Sequence, residues 1–361
     1  MRKLCSFCAS VVALALVAWM LAAQGSALAE TPSGLRVTLP TAPDFYIQDW
    51  TSPAMDEMHP DVAYNPVDDL FMVVFDWDLH GGGARDVMFV RVYPDGSIDP
   101  VPLEVAEDAA WDDSNPTVAY NPNDDNYLVV WERRDATGVA QIFGAIVDGT
   151  TAGTPFSIQI GNADHLAPDV AYSSVAGRYL VVWEDHGIGW GGPPDIVGAS
   201  CNGTGDAWQS LHIAPEPNVG TSDQTKPAVA AHGTLPRWLV TWEDSRTQAT
   251  TGVDIYGQQV TFEASTLSLY GAQIAIGAQT GDAWAPDAAW GAVGAAGGEY
   301  LTVWSEGGWL FAQRVAANST LLGGLITVSN YPESVKRDSA VAFASASNAW
   351  WVVWADDRDY G

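Results

Sequence analysis

Cysteine is nearly absent. The 361-residue chain holds three, and two of them, Cys5 and Cys8, lie in an N-terminal stretch expected to be removed. Only Cys201 would remain, so the fold cannot rely on an internal disulfide. Basic side chains are scarce as well: 15 Lys and Arg stand against 44 Asp and Glu, a formal net charge of −29. That balance argues against nucleic acid and anionic membrane surfaces as partners. Helical periodicity is missing throughout. So are a Gly-x-Ser-x-Gly elbow, a phosphate loop and any short His-x-x-x-His pair that would hold zinc.

Long apolar runs are confined to the start. Arg2 and Lys3 precede an apolar stretch from Val11 to Ala23, and Ala27-Leu28-Ala29 has a small-x-small cleavage pattern. Residues 1–29 therefore read as a signal peptide, with an uncleaved anchor as the alternative. The apolar part is short for a membrane span. No cysteine follows the expected cleavage site, which argues against a lipid anchor. The remaining chain carries 13 basic against 44 acidic residues, a net charge of about −31. The expectation is a monomer that is secreted, periplasmic or at the cell surface, with no membrane insertion after cleavage.

What the chain does have is a repeat. Tyr127-Leu128-Val129-Val130-Trp131-Glu132 recurs in variant form at Phe71 to Phe75, Tyr179 to Trp183, Trp238 to Trp242, Tyr300 to Trp304 and Trp350 to Trp354, about 50–62 residues apart. Runs rich in Val and aromatics favour strands buried on both faces. Ahead of each lies a Pro-x-Val-Ala-Tyr-like segment: Pro60 to Tyr64, Pro116 to Tyr120, Pro168 to Tyr172, Pro227 to Ala231, Pro286 to Trp290 and Ser339 to Phe343. The proline reads as a strand start, before the ladder begins. Asn65-Pro66 and Asn121-Pro122 supply turn chemistry between the two strands. A third strand follows, typified by Asp195-Ile196-Val197-Gly198. Its small fourth residue (Gly144, Gly198, Gly257, Ala312, with Phe89 as the exception) is expected to leave room for the preceding tryptophan. Asp-Gly and Asn-Gly hairpins then lead into a short fourth strand.

Four short antiparallel strands per repeat predict an all-β chain, a six-bladed β-propeller of four-stranded antiparallel blades. The repeat cores fall near 60–106, 116–160, 168–214, 227–276, 286–328 and 339–361. The last repeat stops short, and two extra strands, Leu35 to Leu39 and Phe45 to Gln48, are expected to complete it within residues 30–361. The alternative is a truncated chain that lacks a further blade or domain. Asn-Pro-x-Asp-Asp, the apolar strand, Trp242-Glu243-Asp244-Ser245-Arg246 and Asp254-Ile255-Tyr256 together resemble the repeat of TolB-like six-bladed propellers. The match runs by pattern from about residue 35 to 361. It departs in using Asn-Pro for Ser-Pro, in the Trp-Glu strand ending and in degenerate later turns. The resemblance implies a binding or interaction scaffold, a type that is fused to an enzyme in some members.

In a four-stranded blade the second-to-third and fourth-to-next-first loops share one rim. That rim collects the acids and is expected to be strongly negative around a central channel. The candidate ligand-binding residues there are Trp77, Trp111, Asp112, Asp113, Arg134 and Asp185, then Trp190, Asp244, Arg246, Trp284, Asp357 and Arg358. Tryptophans suit sugars and peptide side chains. Converging carboxylates suit calcium, although no complete calcium loop is present and no cofactor is required. Arg134, Arg246 and Arg358 suggest either a carboxylate clamp, without the sialidase Asp boxes, or local locks onto neighbouring acids. The first expectation is a scaffold binding protein or carbohydrate on this rim. The alternatives are a glycan-active hydrolase or lyase using rim carboxylates, and a structural segment of a larger surface protein.

Overall fold

Residues alternating in side and rich in β-branched and aromatic types make every regular element among the described residues a strand. The structure is a computed structural model. It describes residues 57–356 apart from 79–81, 108–109, 135, 188–191, 216–221, 294–296 and 330–335. The expected signal peptide and the strands at 35–48 lie outside the described residues.

The first blade contains β1 (Glu57–Asn65), β2 (Leu70–Trp77), β3 (Asp86–Val92) and β4 (Leu103–Ala106). The second contains β5 (Asp112–Asn121), β6 (Asn126–Arg134), β7 (Ala140–Asp148), β8 (Thr151–Ala152) and β9 (Phe156–Gln159). The third contains β10 (His165–Ser173), β11 (Arg178–Asp185), β12 (Asp195–Asn202) and β13 (Gln209–His212). The fourth is β14 (Gln224–Ala231), β15 (Arg237–Asp244), β16 (Asp254–Glu263) and β17 (Thr266–Gly277). The fifth is β18 (Ala283–Gly291), β19 (Glu299–Glu306), β20 (Trp309–Ala316) and β21 (Leu321–Ser329). Of the sixth, β22 (Lys336–Ala344) and β23 (Ala349–Asp356) are described.

Neighbouring strands pair antiparallel in sequence order within each sheet. First strands of successive blades pack side by side, which sets them innermost around a common axis. The chain is thus an all-β propeller. Alternate residues of each second strand face opposite blades. Tyr127, Val129 and Trp131 join the cluster shared with the first blade, and Leu128 and Val130 join the one shared with the third. Trp131, Trp183, Trp242 and Trp304 are fully buried, each side chain contributing roughly 1.5–3 kcal/mol by burial.

The small residue of the third strand is needed, but for a different neighbour than expected. A Cβ on Gly198 would sit 2.6 Å from Ile213 Cδ1, and one on Gly257 2.6 Å from Ile276 Cδ1. The isoleucine following or ending the blade's outer strand, not the tryptophan, occupies the space.

Candidate functional site at the channel mouth

The prolines do not start strands. They are the fourth or fifth residues of the innermost ones. In each blade two residues of the first strand oppose a single residue of the second. His59 and Pro60 face Phe75, Asn115 and Pro116 face Trp131, and Ala167 and Pro168 face Trp183. The same bulge recurs opposite Trp242, Trp304 and Trp354. Proline is tolerated because a bulge residue owes the ladder no hydrogen bond. The first residue of the bulge, which precedes proline in five blades and Ser339 in the sixth, adopts a left-handed backbone: φ is 47° at His59, 54° at Asn115, 48° at Ala167, 49° at Lys226 and Ala285, and 48° at Asp338. Such a conformation costs about 1–3 kcal/mol for a non-glycine residue.

A latch from the preceding blade offsets that cost. The bulge N–H of Asn115 donates to Asp76 Oδ2 at 2.9 Å, and that of Ala167 to Glu132 Oε1 at 2.9 Å. Lys226 N donates to Glu184 Oε1 and Ala285 N to Glu243 Oε1, both at 2.7 Å. Each acceptor directly follows the aromatic residue that faces the bulge in its own blade. The Trp-Glu ending of the second strand is therefore an inter-blade fastening. A charge-assisted hydrogen bond of this kind contributes about 1.5–3 kcal/mol.

The bulge side chains stand around the mouth of the channel. His59 Nδ1 lies 2.6 Å from Asp76 Oδ2, with 41% of the His59 side chain exposed and Asp76 buried. The hydrogen bond to Asp76 raises the pKa of His59. Asn115 Nδ2 donates to Glu132 Oε1 at 3.1 Å. Lys226 Nζ is 3.3 Å from Glu243 Oε1 and 5.9 Å from the centre of the Trp284 ring. Trp284 is 44% exposed. Burial raises the pKa of Glu243.

Below the mouth, three aspartates project from alternate innermost strands. Asp61, Asp169 and Asp287 each follow the bulge proline, where the intervening blades have Thr117, Ala228 and Ala340. Each is half-buried. One oxygen of each accepts an N–H from the next blade's innermost strand: Val118 N to Asp61 at 2.8 Å, Val229 N to Asp169 at 2.7 Å and Val341 N to Asp287 at 2.6 Å. Desolvation by the converging strands pushes Asp61 up to about 6 and Asp287 up to about 7. Asp169 rises well above the usual carboxylate range, first through desolvation and then through the charge of Asp61, with Asp287 adding a smaller effect. The three carboxyl groups therefore act on one another across the axis.

The residues expected on the rim are dispersed. Trp77 is buried within the first blade. Trp111 is half-buried, with the Arg133 guanidinium 5.4 Å from its ring centre. Asp112 accepts Arg85 N at 3.0 Å, and Asp113 is held by Arg133 through two hydrogen bonds. Arg134 reaches Glu132 at 3.2 Å and Asp164 at 3.4 Å. Asp185 is buried and accepts Gly187 N at 2.8 Å. Asp244 takes Arg246 Nε at 2.8 Å and Trp242 Nε1 at 2.8 Å. Arg134 and Arg246 are thus local locks. Of the described residues in this set, Trp284 alone combines exposure with a place at the mouth. Trp190, Asp357 and Arg358 lie outside the described residues. Among the described residues no group of three or more His, Cys, Asp or Glu is set to hold a metal ion.

Sequence reasoning missed His59, Lys226 and the three channel aspartates as one site. Their signal was present in the residues flanking each proline of the x-Pro-x-Val segments.

No family model matches the sequence, and no curated protein matches it. Among solved structures the chain is similar to the α-L-arabinanase of Penicillium chrysogenum complexed with arabinobiose, with TM-score 0.56 and 15% identity, covering 85% of this chain and 95% of that one. It is also similar to a protein of unknown function from Dyadobacter fermentans, with TM-score 0.57 and 10% identity over 80% and 88% of the two chains. A third similarity is to a mutant α-L-arabinofuranosidase of Fusarium graminearum in complex with an iminosugar inhibitor, with TM-score 0.51 and 10% identity over 84% and 93%. At these identities the likeness establishes the fold alone.

Proposed function

We propose that the chain is a glycan-active hydrolase whose site is the channel mouth, with Asp61, Asp169 and Asp287 as its carboxyl groups. The observation that carries this reading is the trio itself: three half-buried carboxyls facing one axis, two of them pushed up by desolvation to about 6 and about 7. Glycoside hydrolysis needs one carboxylic acid to protonate the leaving oxygen and one carboxylate to activate water or attack the sugar. Like charges around one axis push the protonation states apart and supply both forms near neutral pH. Asp287, pushed up to about 7 mainly by desolvation, suits the general acid. Asp61, pushed up only to about 6, suits the base.

The mouth supplies the binding groups. Trp284 offers an exposed aromatic face to a sugar ring. Lys226 and His59 offer donors to hydroxyl groups. An exported protein, as residues 1–29 suggest, would meet polymeric glycans outside the cell. Two of the structural neighbours are an arabinanase and an arabinofuranosidase by name, so arabinose-containing oligosaccharides are the first substrates to try.

A second reading has its own observation. Each aspartate accepts an N–H of the adjoining blade, a structural duty complete in itself, and this favours a propeller that binds glycan or protein without cleaving it. Chromatographic analysis of an oligosaccharide panel after incubation separates the two. Shortened products that vanish with Asp287→Asn support hydrolysis. Calorimetric binding without products supports the scaffold, and neither binding nor products removes the mouth as the site.

A further inference from the structure

The second strands of the first five blades are buried along nearly their whole length. Their counterpart β23 is only half-buried from Ala349 to Ala355. Among the described residues β23 pairs with β22 alone, whereas every other second strand also has a third strand beside it. Next to β23 lies a cavity of about 280 Å³, lined by Leu301, Ala312, Ile326, Val328, Trp350 and Val352 among others. At the other junctions this space is filled by the third strand of the later blade. Val197, Ala199 and Cys201, three alternate residues of β12, cover the second blade in this way, against Ile146, Phe156 and Ile158.

We propose that residues 35–48 of this same chain dock beside β23 and supply the sixth blade's third and fourth strands. Three observations argue for this occupant. Leu35, Val37 and Leu39 alternate with Arg36 and Thr38, so a strand here presents three apolar residues on one face, as the cavity requires. The connections also fit. Five residues separate Leu39 from Phe45, and between the third and fourth strands of the fifth blade Ala316 and Leu321 are similarly close. From Gln48 eight residues lead to β1, while elsewhere Ala106 leads to Asp112 and His212 to Gln224. Finally, the first blade's face of Val73, Met88, Val90 and Val92 is buried, although among the described residues it packs against first-blade side chains only. A strand pair completing the sixth blade would also lie against that face, joining the two ends of the chain in one sheet and removing an exposed edge.

The test uses the full chain with a photo-reactive phenylalanine analogue replacing Val352, followed by peptide mapping of the cross-links. The expected result is an intramolecular cross-link into the peptide that contains residues 35–48. A cross-link to a second copy, seen as a product of twice the mass, would assign the edge to dimerisation and overturn the proposal. Absence of any cross-link would overturn it too. Thermal unfolding of Val37→Asp gives a second measure. A fall in Tm of about 5 °C or more is expected, against no change for Ser33→Asp, outside the proposed strand. An unchanged Tm for Val37→Asp would contradict the docking.

Discussion

Two sets of carboxylates stand at the same mouth, and they do different work. Asp76, Glu132, Glu184 and Glu243 are buried and fasten the bulge N–H of the next blade. Asp61, Asp169 and Asp287 stay half-buried, face the axis and are pushed up by desolvation. The first set recurs in consecutive blades because each of those junctions needs a latch. The second appears in every other blade, at a position where Thr or Ala serves equally well in between. A carboxylate demanded by the repeat holds the fold. One that breaks the repeat's uniformity is a candidate for chemistry.

The comparison breaks most sharply on activity. Asp287→Asn keeps an oxygen for the Val341 N–H, gives up the acceptor of the Ala288 N–H and cannot ionise. It should lower glycan cleavage by about 10²–10⁴-fold and leave Tm within a few degrees. Loss of activity accompanied by global unfolding would merge the two sets into one structural class. In the latch set, Glu184→Ala strands the Lys226 N–H and should cost about 2–3 kcal/mol by denaturant titration. Retained stability there would mean that the bulge finds another acceptor.

A pH experiment sharpens the contrast. The folded pKa of Asp287, about 7, exceeds its ordinary value of 3.8, so the folded state holds the proton more tightly than the unfolded chain. Its favourable contribution is complete below about pH 4 and is lost as pH rises through about 7. The stability difference between wild type and Asp287→Asn should therefore shrink from pH 4 to pH 7 and flatten above. His232 works the other way: burial lowers it to about 4, so its contribution is full above about 6.5 and falls away as pH drops towards 4. It is common to both proteins and cancels in the difference. A pH-independent difference would show that Asp287 is not desolvated. The smallest expected effect is at the platform: Trp284→Ala should weaken oligosaccharide binding about tenfold, roughly 1.4 kcal/mol, with no change in Tm. Unaltered affinity would move the sugar elsewhere.

The blade pattern was legible because it is local. Val-rich strands ending in Trp, and Asn-initiated turns, announce themselves within a few residues. Asn65 Oδ1 takes the Val67 and Asp68 N–H groups as the turn chemistry requires. Even the degenerate fourth turn keeps the arrangement, with His232 Nδ1 accepting Thr234 N and Leu235 N. The bulge was not legible, because it is defined by a partner on the next strand. Pro60 reads as a strand start until Phe75 is seen opposite it. Once that pairing is missed, the latch acids look like free rim charges, and the residue after the proline looks like an ordinary edge position. Asp61, Asp169 and Asp287 were further hidden because aligning six repeats averages them with Thr117, Ala228 and Ala340. The TolB-like resemblance rests on the repeat pattern, which reports the blade and not the mouth.

The central claim is that channel aspartates carry the chemistry while latch acids carry the fold. Its most direct test is product release from arabinose-containing and other oligosaccharides by wild type, Asp287→Asn and Glu184→Ala, at a temperature where all three are folded. The account predicts cleavage by wild type and Glu184→Ala and none by Asp287→Asn. Equal cleavage by Asp287→Asn, or no cleavage of any glycan by the folded wild type, would contradict it.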